Sequence, residues 1–220
     1  MKAIRLFLFA YFLCCFSFLF AQEEMGNGML FPQFENGTVI LKNRTKSNAL
    51  LNYSMLQQEM LFQNSDGTIM AFADALDIIV VNIGDRRFFP ISSKGLFYEE
   101  IQAGKGSFFV QYKVNIISEG KASAYGGYSQ TTAITSYSTI SNATTGTTHK
   151  LNADEKFRLK KDNFYYLQSG KSYKKFTSAK SLGKLFKGKG LKIEEFAKEH
   201  STNFNNINDI ARIVEYGYSL

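Results

Sequence analysis

The feature that most narrows the folds open to this chain is a train of short apolar runs, broken by turn residues, between about Thr38 and Ser118. Thr38-Val39-Ile40-Leu41 gives way to the polar Asn43-Arg44-Thr45-Lys46. Met60-Leu61-Phe62 meets Thr68-Ile69-Met70 across Ser65-Asp66-Gly67. Asp-Gly between apolar runs is a hairpin signal, because both residues tolerate positive φ. Ile78 to Ile83 faces Arg86 to Ile91 across Gly84-Asp85, and Leu96 to Ile101 faces Ser107 to Ile117 across Ala103-Gly104-Lys105-Gly106. A strand and turn every roughly 8 to 12 residues predicts an antiparallel β meander, either a sandwich or a roll-like barrel. Ala49 to Phe62 fits two patterns, since Leu50, Tyr53, Leu56 and Met60 also recur at helical spacing, and both stay open there.

Residues 119–153 have another character. Between Lys121 and Thr148 lie 13 Ser or Thr and no periodic apolar face, which predicts a long loop. Its Tyr125, Tyr128 and Tyr137 suit either an adaptable binding surface or plain disorder. Residues 154–177 read as a basic hairpin, Lys156 to Leu167 against Lys171 to Phe176, turning at Gln168-Ser169-Gly170. Residues 178–220 read as helices: Ser178 is an N-cap ahead of Leu182, Leu185 and Phe186. Ile193, Phe196, Ala197 and His200 form one stripe, and Ile207, Ile210, Ala211 and Val214 form another. Gly188 and Gly190 are the stop signals between the first two helices. The expected class is therefore α+β, with residues 22–118 as the antiparallel β region and a small helical segment at the C-terminus.

The first 21 residues are read as a secretory signal peptide. Lys2 and Arg5 precede fifteen uncharged residues, Leu6 to Phe20, and Ala21 supplies the small residue before the cut. The apolar run is short for a bilayer-spanning helix. Cleavage would leave 199 residues without a cysteine, because Cys14 and Cys15 both lie in the leader. Disulfides, thiolate nucleophiles and Cys-ligated metal sites are then excluded together. At this length about 70% of the unfolded chain's surface is buried on folding, enough for one compact domain.

Leu51-Asn52-Tyr53, Gln58-Glu59-Met60-Leu61-Phe62 and the segment from Val81-Asn82-Ile83 to Arg87-Phe88 resemble uncharacterised secreted β-rich proteins of Gram-negative bacteria. The C-terminal part is similar too, with Lys184-Leu185-Phe186, a Lys-rich turn, Ile193 to Lys198 and a last helix ending near Tyr216. The resemblance implies a secreted or periplasmic β-rich protein with a helical tail, and implies no activity.

Catalytic motifs are absent from the text: no GxSxG elbow, Walker loop, HExxH or Rossmann fingerprint. Gly104-Lys105-Gly106 and Gly188-Lys189-Gly190 read as turns. The two histidines, His149 in the polar segment and His200 at a helix end, are far apart, so no metal and no cofactor is expected. His200 suits a C-terminal cap. Glu99 and Glu100 are neighbours on a strand and point to opposite faces, so they form no dyad by themselves.

The positive signal is charge segregation. Lys156, Arg158, Lys160, Lys161, Lys171, Lys174, Lys175, Lys180, Lys184, Lys187, Lys189 and Lys192 stand against the single acid Asp162, giving that segment +11. The rest of the chain after the leader is −6. Such a field attracts polyanions, and the interleaved Phe164, Tyr165, Tyr166 and Tyr173 suit stacking on rings. An exported protein does not meet nucleic acid as its ordinary partner. The expected partners are an acidic envelope glycan, lipopolysaccharide, lipid headgroups in a peripheral contact, or a protein. A solvated lysine surface, or pairing with the acidic β region, accounts for the same residues without a ligand. Two other classes remain as alternatives: an envelope hydrolase with carboxylates assembled by the fold, and an outer-membrane barrel. The helical tail and the terminal Leu220 argue against the barrel.

Overall fold

The computed structural model describes residues 28–91, 94–122, 128–129 and 155–220. The leader assignment, His149 and most of the Ser/Thr-rich segment lie outside them.

Among the described residues thirteen strands form two sheets. The larger is built from β1 (Glu35–Leu41), β2 (Lys46–Ser54), β3 (Glu59–Gln63), β4 (Ile69–Ala71), β5 (Ile78–Ile83), β6 (Arg86–Pro90), β7 (Phe97–Ala103), β8 (Gly106–Gln111), β12 (Phe164–Ser169) and β13 (Ser172–Phe176). Its order is β13-β12-β8-β7-β6-β5-β1-β2-β3-β4, antiparallel throughout. The smaller sheet joins β9 (Val114–Ala122) to β10 (Tyr128–Ser129) and β11 (Glu155–Lys161). The expected antiparallel architecture is present. The large sheet is open, with β13 and β4 as its edges, so the architecture is sandwich- or roll-like and not a closed barrel.

Turn chemistry explains the hairpins. Gly67 and Gly84 take positive φ, and Asp66 Oδ1 accepts the Thr68 amide at 2.9 Å. The ambiguous Ala49 to Phe62 stretch is two strands, with Gln58 at φ 61° in the turn between them. The expected single strand from Ser107 to Ile117 breaks at Tyr112-Lys113, and Lys156 to Leu167 breaks at Asp162-Asn163. Those two breaks face each other: the Asp162 amide donates to Lys113 O, and the Lys113 amide to Asn163 Oδ1. One long ribbon thus bends at a shared corner, sending β8–β12 into one sheet and β9–β11 into the other.

Register divides the large sheet into two faces. Val39, Val81, Phe88, Glu99, Val110, Tyr165 and Phe176 lie opposite one another along seven strands. All are buried, and the apolar ones belong to the main core. One residue along each strand, the row Thr38, Asn82, Arg87, Glu100, Phe109, Tyr166, Lys175 occupies the other face. Strand alternation dictates this division, because neighbouring side chains leave a strand on opposite sides. The sheet curls round its apolar face: Tyr53 on β2 stacks on Phe88 of β6 at 6.3 Å, although β1 and β5 separate their strands.

Among the described residues three α-helices cover the same face: α1 (Ala179–Gly183), α2 (Gly190–Glu199) and α3 (Ile207–Ser219). Ser178 caps α1 as expected, in a reciprocal pair with Ser181. Gly190 opens α2 instead of ending its predecessor, while Gly188 has the positive φ of a stop. Leu182, Ile193, Ile210, Ile213 and Val214 enter the strands' core, and Tyr218 OH donates to Ser107 O at 3.1 Å. Gly106 has to be glycine here, because a Cβ would lie 2.3 Å from the Tyr218 ring.

Candidate binding surface

Two ion pairs sit back to back on β6 and β7. On the core side the Arg86 guanidinium grips Glu99 with both prongs, Nε to Oε1 at 2.7 Å and Nη2 to Oε2 at 2.8 Å. Tyr112 OH donates to the same carboxylate, and Tyr53 OH donates to Tyr112 O at 3.3 Å. The guanidinium lies over Phe31 at 4.7 Å, with Phe88 and Tyr112 close by. Burial opposes the Arg86 charge, but the hydrogen bond and attraction of Glu99 outweigh it and raise its pKa. Burial, then the Glu99 charge, pushes the Tyr112 phenol well above its ordinary range. These groups use their hydrogen-bonding capacity on one another, which makes the cluster a structural element.

On the outer side Arg87 Nη1 comes within 2.9 Å of Glu100 Oε2, yet that oxygen accepts no hydrogen bond, so the contact is ionic. Around it lies a second aromatic cluster. Phe89 and Phe109 meet edge to face at 6.2 Å, Phe109 and Tyr173 at 4.9 Å, and Tyr98 stacks on Tyr166 at 4.8 Å. Lys175 Nζ stands 3.2 Å from the centre of the Phe164 ring. Of the four aromatics singled out in the sequence, Phe164, Tyr166 and Tyr173 share this outer face, while Tyr165 turns into the core. The aromatic rings largely cover one another, so the cluster anchors the β12–β13 hairpin and leaves its lysines at the rim.

The twelve basic residues are distributed over three units. Lys156, Arg158, Lys160 and Lys161 are on β11; the Lys156 side chain lies outside the described residues, and the other three are exposed. Lys171 is in the β12–β13 turn, and Lys174 and Lys175 leave β13 on opposite faces. Lys180 is in α1 and Lys184 caps its end; Lys187 lies in the following turn; Lys189 caps α2, and Lys192 is in its first turn. Among the described residues no carboxylate lies within ion-pair distance of Lys160, Lys171, Lys174, Lys175, Lys180, Lys184, Lys187, Lys189 or Lys192. Asp162, the one acid of the segment, is 3.6 Å from Lys113.

His200 caps α2, with Nδ1 3.1 Å from Phe196 O and its ring stacked on Phe196 at 4.1 Å. Among the described residues no group of three metal-ligating side chains gathers, and no helix is long and apolar enough to cross a membrane. A cavity of about 300 Å³ lies beside β3 and β4, lined by Met60, Phe72 and Phe97, with Glu59, Asp74 and Lys94 as its charged groups. The Arg86–Glu99 and Arg87–Glu100 pairs escaped the sequence reading. Their signal was two doublets, Arg86-Arg87 and Glu99-Glu100, on strands that follow one another in a meander.

No family model, curated protein or solved structure matches the chain.

Proposed function

We propose that this is a non-enzymatic extracytoplasmic binding module whose basic C-terminal third engages an acidic envelope component, the phosphorylated sugars of lipopolysaccharide being the chemistry it suits. The observation that carries this reading is the set of lysines on the β12–β13 hairpin and the helices, nearly all exposed, that have no carboxylate partner among the described residues. Satisfied surface charges would pair with the acidic β region; these face solvent, where a polyanion's field reaches them. The processed chain should be retained on immobilised heparin or lipopolysaccharide at low salt. It should elute as salt rises toward about 1 M, where the screening length falls to about 3 Å. Exchanging Lys171, Lys174 and Lys175 for Gln should bring elution forward. Absence of retention, or retention indifferent to salt, removes the proposal.

A second reading, an envelope hydrolase, draws on Glu59 and Asp74 lining one cavity. Asp74 Oδ1 already accepts the Leu76 amide at 2.9 Å, which favours a structural role for that carboxylate. Hydrolysis of an envelope glycan that disappears in both Glu59→Gln and Asp74→Asn would favour the hydrolase instead.

A further inference from the structure

Leu191 is the anomaly of the surface. It is 80% exposed, whereas among the described residues the other exposed large apolar side chains reach at most 44%. A lone exposed leucine is ordinary, but this one sits in a built projection. Gly183 and Gly190 touch backbone to backbone, a Cβ on Gly183 lying 2.8 Å from Gly190 Cα, so the chain between them closes at its base. The Lys189 amide donates to Phe186 O at 3.0 Å, and Gly188 turns at φ 75°. Leu182, Phe186 and Ile193 anchor the projection in the core. What it presents outward is Lys184, Lys187, Leu191 and Lys192, with the half-exposed Lys189 two residues before Leu191 and Lys192 directly after it.

We infer that this tip docks on an anionic lipid surface, with Leu191 entering the headgroup boundary and the lysines meeting phosphates. The inference rests on the polyanion-binding reading above and adds a residue that a glycan would not need. Cationic side chains flanking an apolar one is the arrangement interfacial anchors use: each Lys is drawn to the negative surface potential, and the apolar side chain leaves water. The helices behind the tip pack on the sheet, so docking costs no refolding.

The test uses cosedimentation with vesicles of phosphatidylcholine and phosphatidylglycerol in equal parts, against vesicles of phosphatidylcholine alone. The processed chain should bind the anionic vesicles and not the neutral ones. Leu191→Ser should lose about tenfold in partitioning while keeping its heparin retention, and its exposure makes a folding defect unexpected. Lys184→Gln, Lys187→Gln and Lys192→Gln together should lose on the order of a hundredfold. The chain has no tryptophan, so Leu191→Trp adds a single reporter whose emission should shift to the blue on anionic vesicles. Vesicle binding unchanged in Leu191→Ser, or no shift in Leu191→Trp, overturns the tip and leaves the polyanion reading intact. Heparin retention without vesicle binding also overturns it and assigns the lysines to a glycan. Failure on heparin and vesicles alike removes both.

Discussion

Arg86–Glu99 and Arg87–Glu100 are the same two residue types, one position apart on the same two strands, and they differ in how far each arginine is covered and in how the carboxylate is bonded. The inner pair is a two-pronged fork with a tyrosine on the carboxylate and aromatic rings round the guanidinium; Glu99 is 5% exposed. The outer pair makes a charge contact without a directional hydrogen bond; Arg87 is about half in solvent, while Glu100 is largely covered and accepts the Ser107 hydroxyl on its other oxygen. The difference teaches that residue identity and strand position set which groups can meet, while the medium around them sets what the meeting is worth. A buried charge that loses its partner keeps its desolvation penalty; an exposed one is rehydrated.

The largest expected effect follows from that asymmetry. Glu99→Ala should cost about 3–5 kcal/mol in urea unfolding, because it strands Arg86 among aromatic rings. Replacing the pair together, Arg86→Met with Glu99→Leu, should cost much less than either single change. A single Glu99→Ala cost no greater than that of Glu100→Ala would break the comparison.

Tyr112→Phe removes one bond to the carboxylate and should cost about 1–2 kcal/mol. It also bears on pH. The phenol's pKa is raised by burial and by Glu99, so the folded state holds its proton where the unfolded chain releases it. The stability this contributes is complete below the unfolded tyrosine pKa of about 10 and declines as pH climbs above it. Unfolding midpoints measured across that range should fall less steeply in Tyr112→Phe than in the parent. An identical alkaline slope would mean that neither burial nor Glu99 raises the phenol's pKa in the folded state.

The smallest effect belongs to the outer pair. Glu100→Ala, which leaves an Arg87 that water reaches, should change stability by about 1 kcal/mol, and added salt should shrink the difference further. A cost of several kcal/mol would show that the outer aromatic cluster desolvates this pair as thoroughly as the core does its neighbour.

Much of the fold was legible in the chain. Asp66-Gly67, Gly84-Asp85 and Gly104-Lys105 mark hairpins because the need for positive φ is a property of single residues. Ser178 is recognisable as a cap because its partner is three residues away. The opposed directions of Glu99 and Glu100 follow from strand alternation and are found in the structure. Less legible was the corner at Tyr112-Lys113, which exists because Asp162 and Asn163, some fifty residues on, complete the backbone bonding there. Asn52 is similar: its side chain takes the Phe31 and Tyr53 amides and gives to Phe31 O and Gln33 O, pinning an arm about twenty residues upstream. Of the candidate surface, the lysine block was plain in the text, but its distribution over a ribbon, a hairpin and a helical tip was not.

By itself, then, the sequence determined the period of each segment, the turns, the caps and the sign of the charge in each region, all set by residues within a few positions of one another. The tertiary structure decided which side of each strand became interior, which of two adjacent glutamates was buried, and that Leu191 would stand in solvent among lysines. Those outcomes depend on what a distant part of the chain covers, and burial is a property of the assembled surface that no local pattern carries.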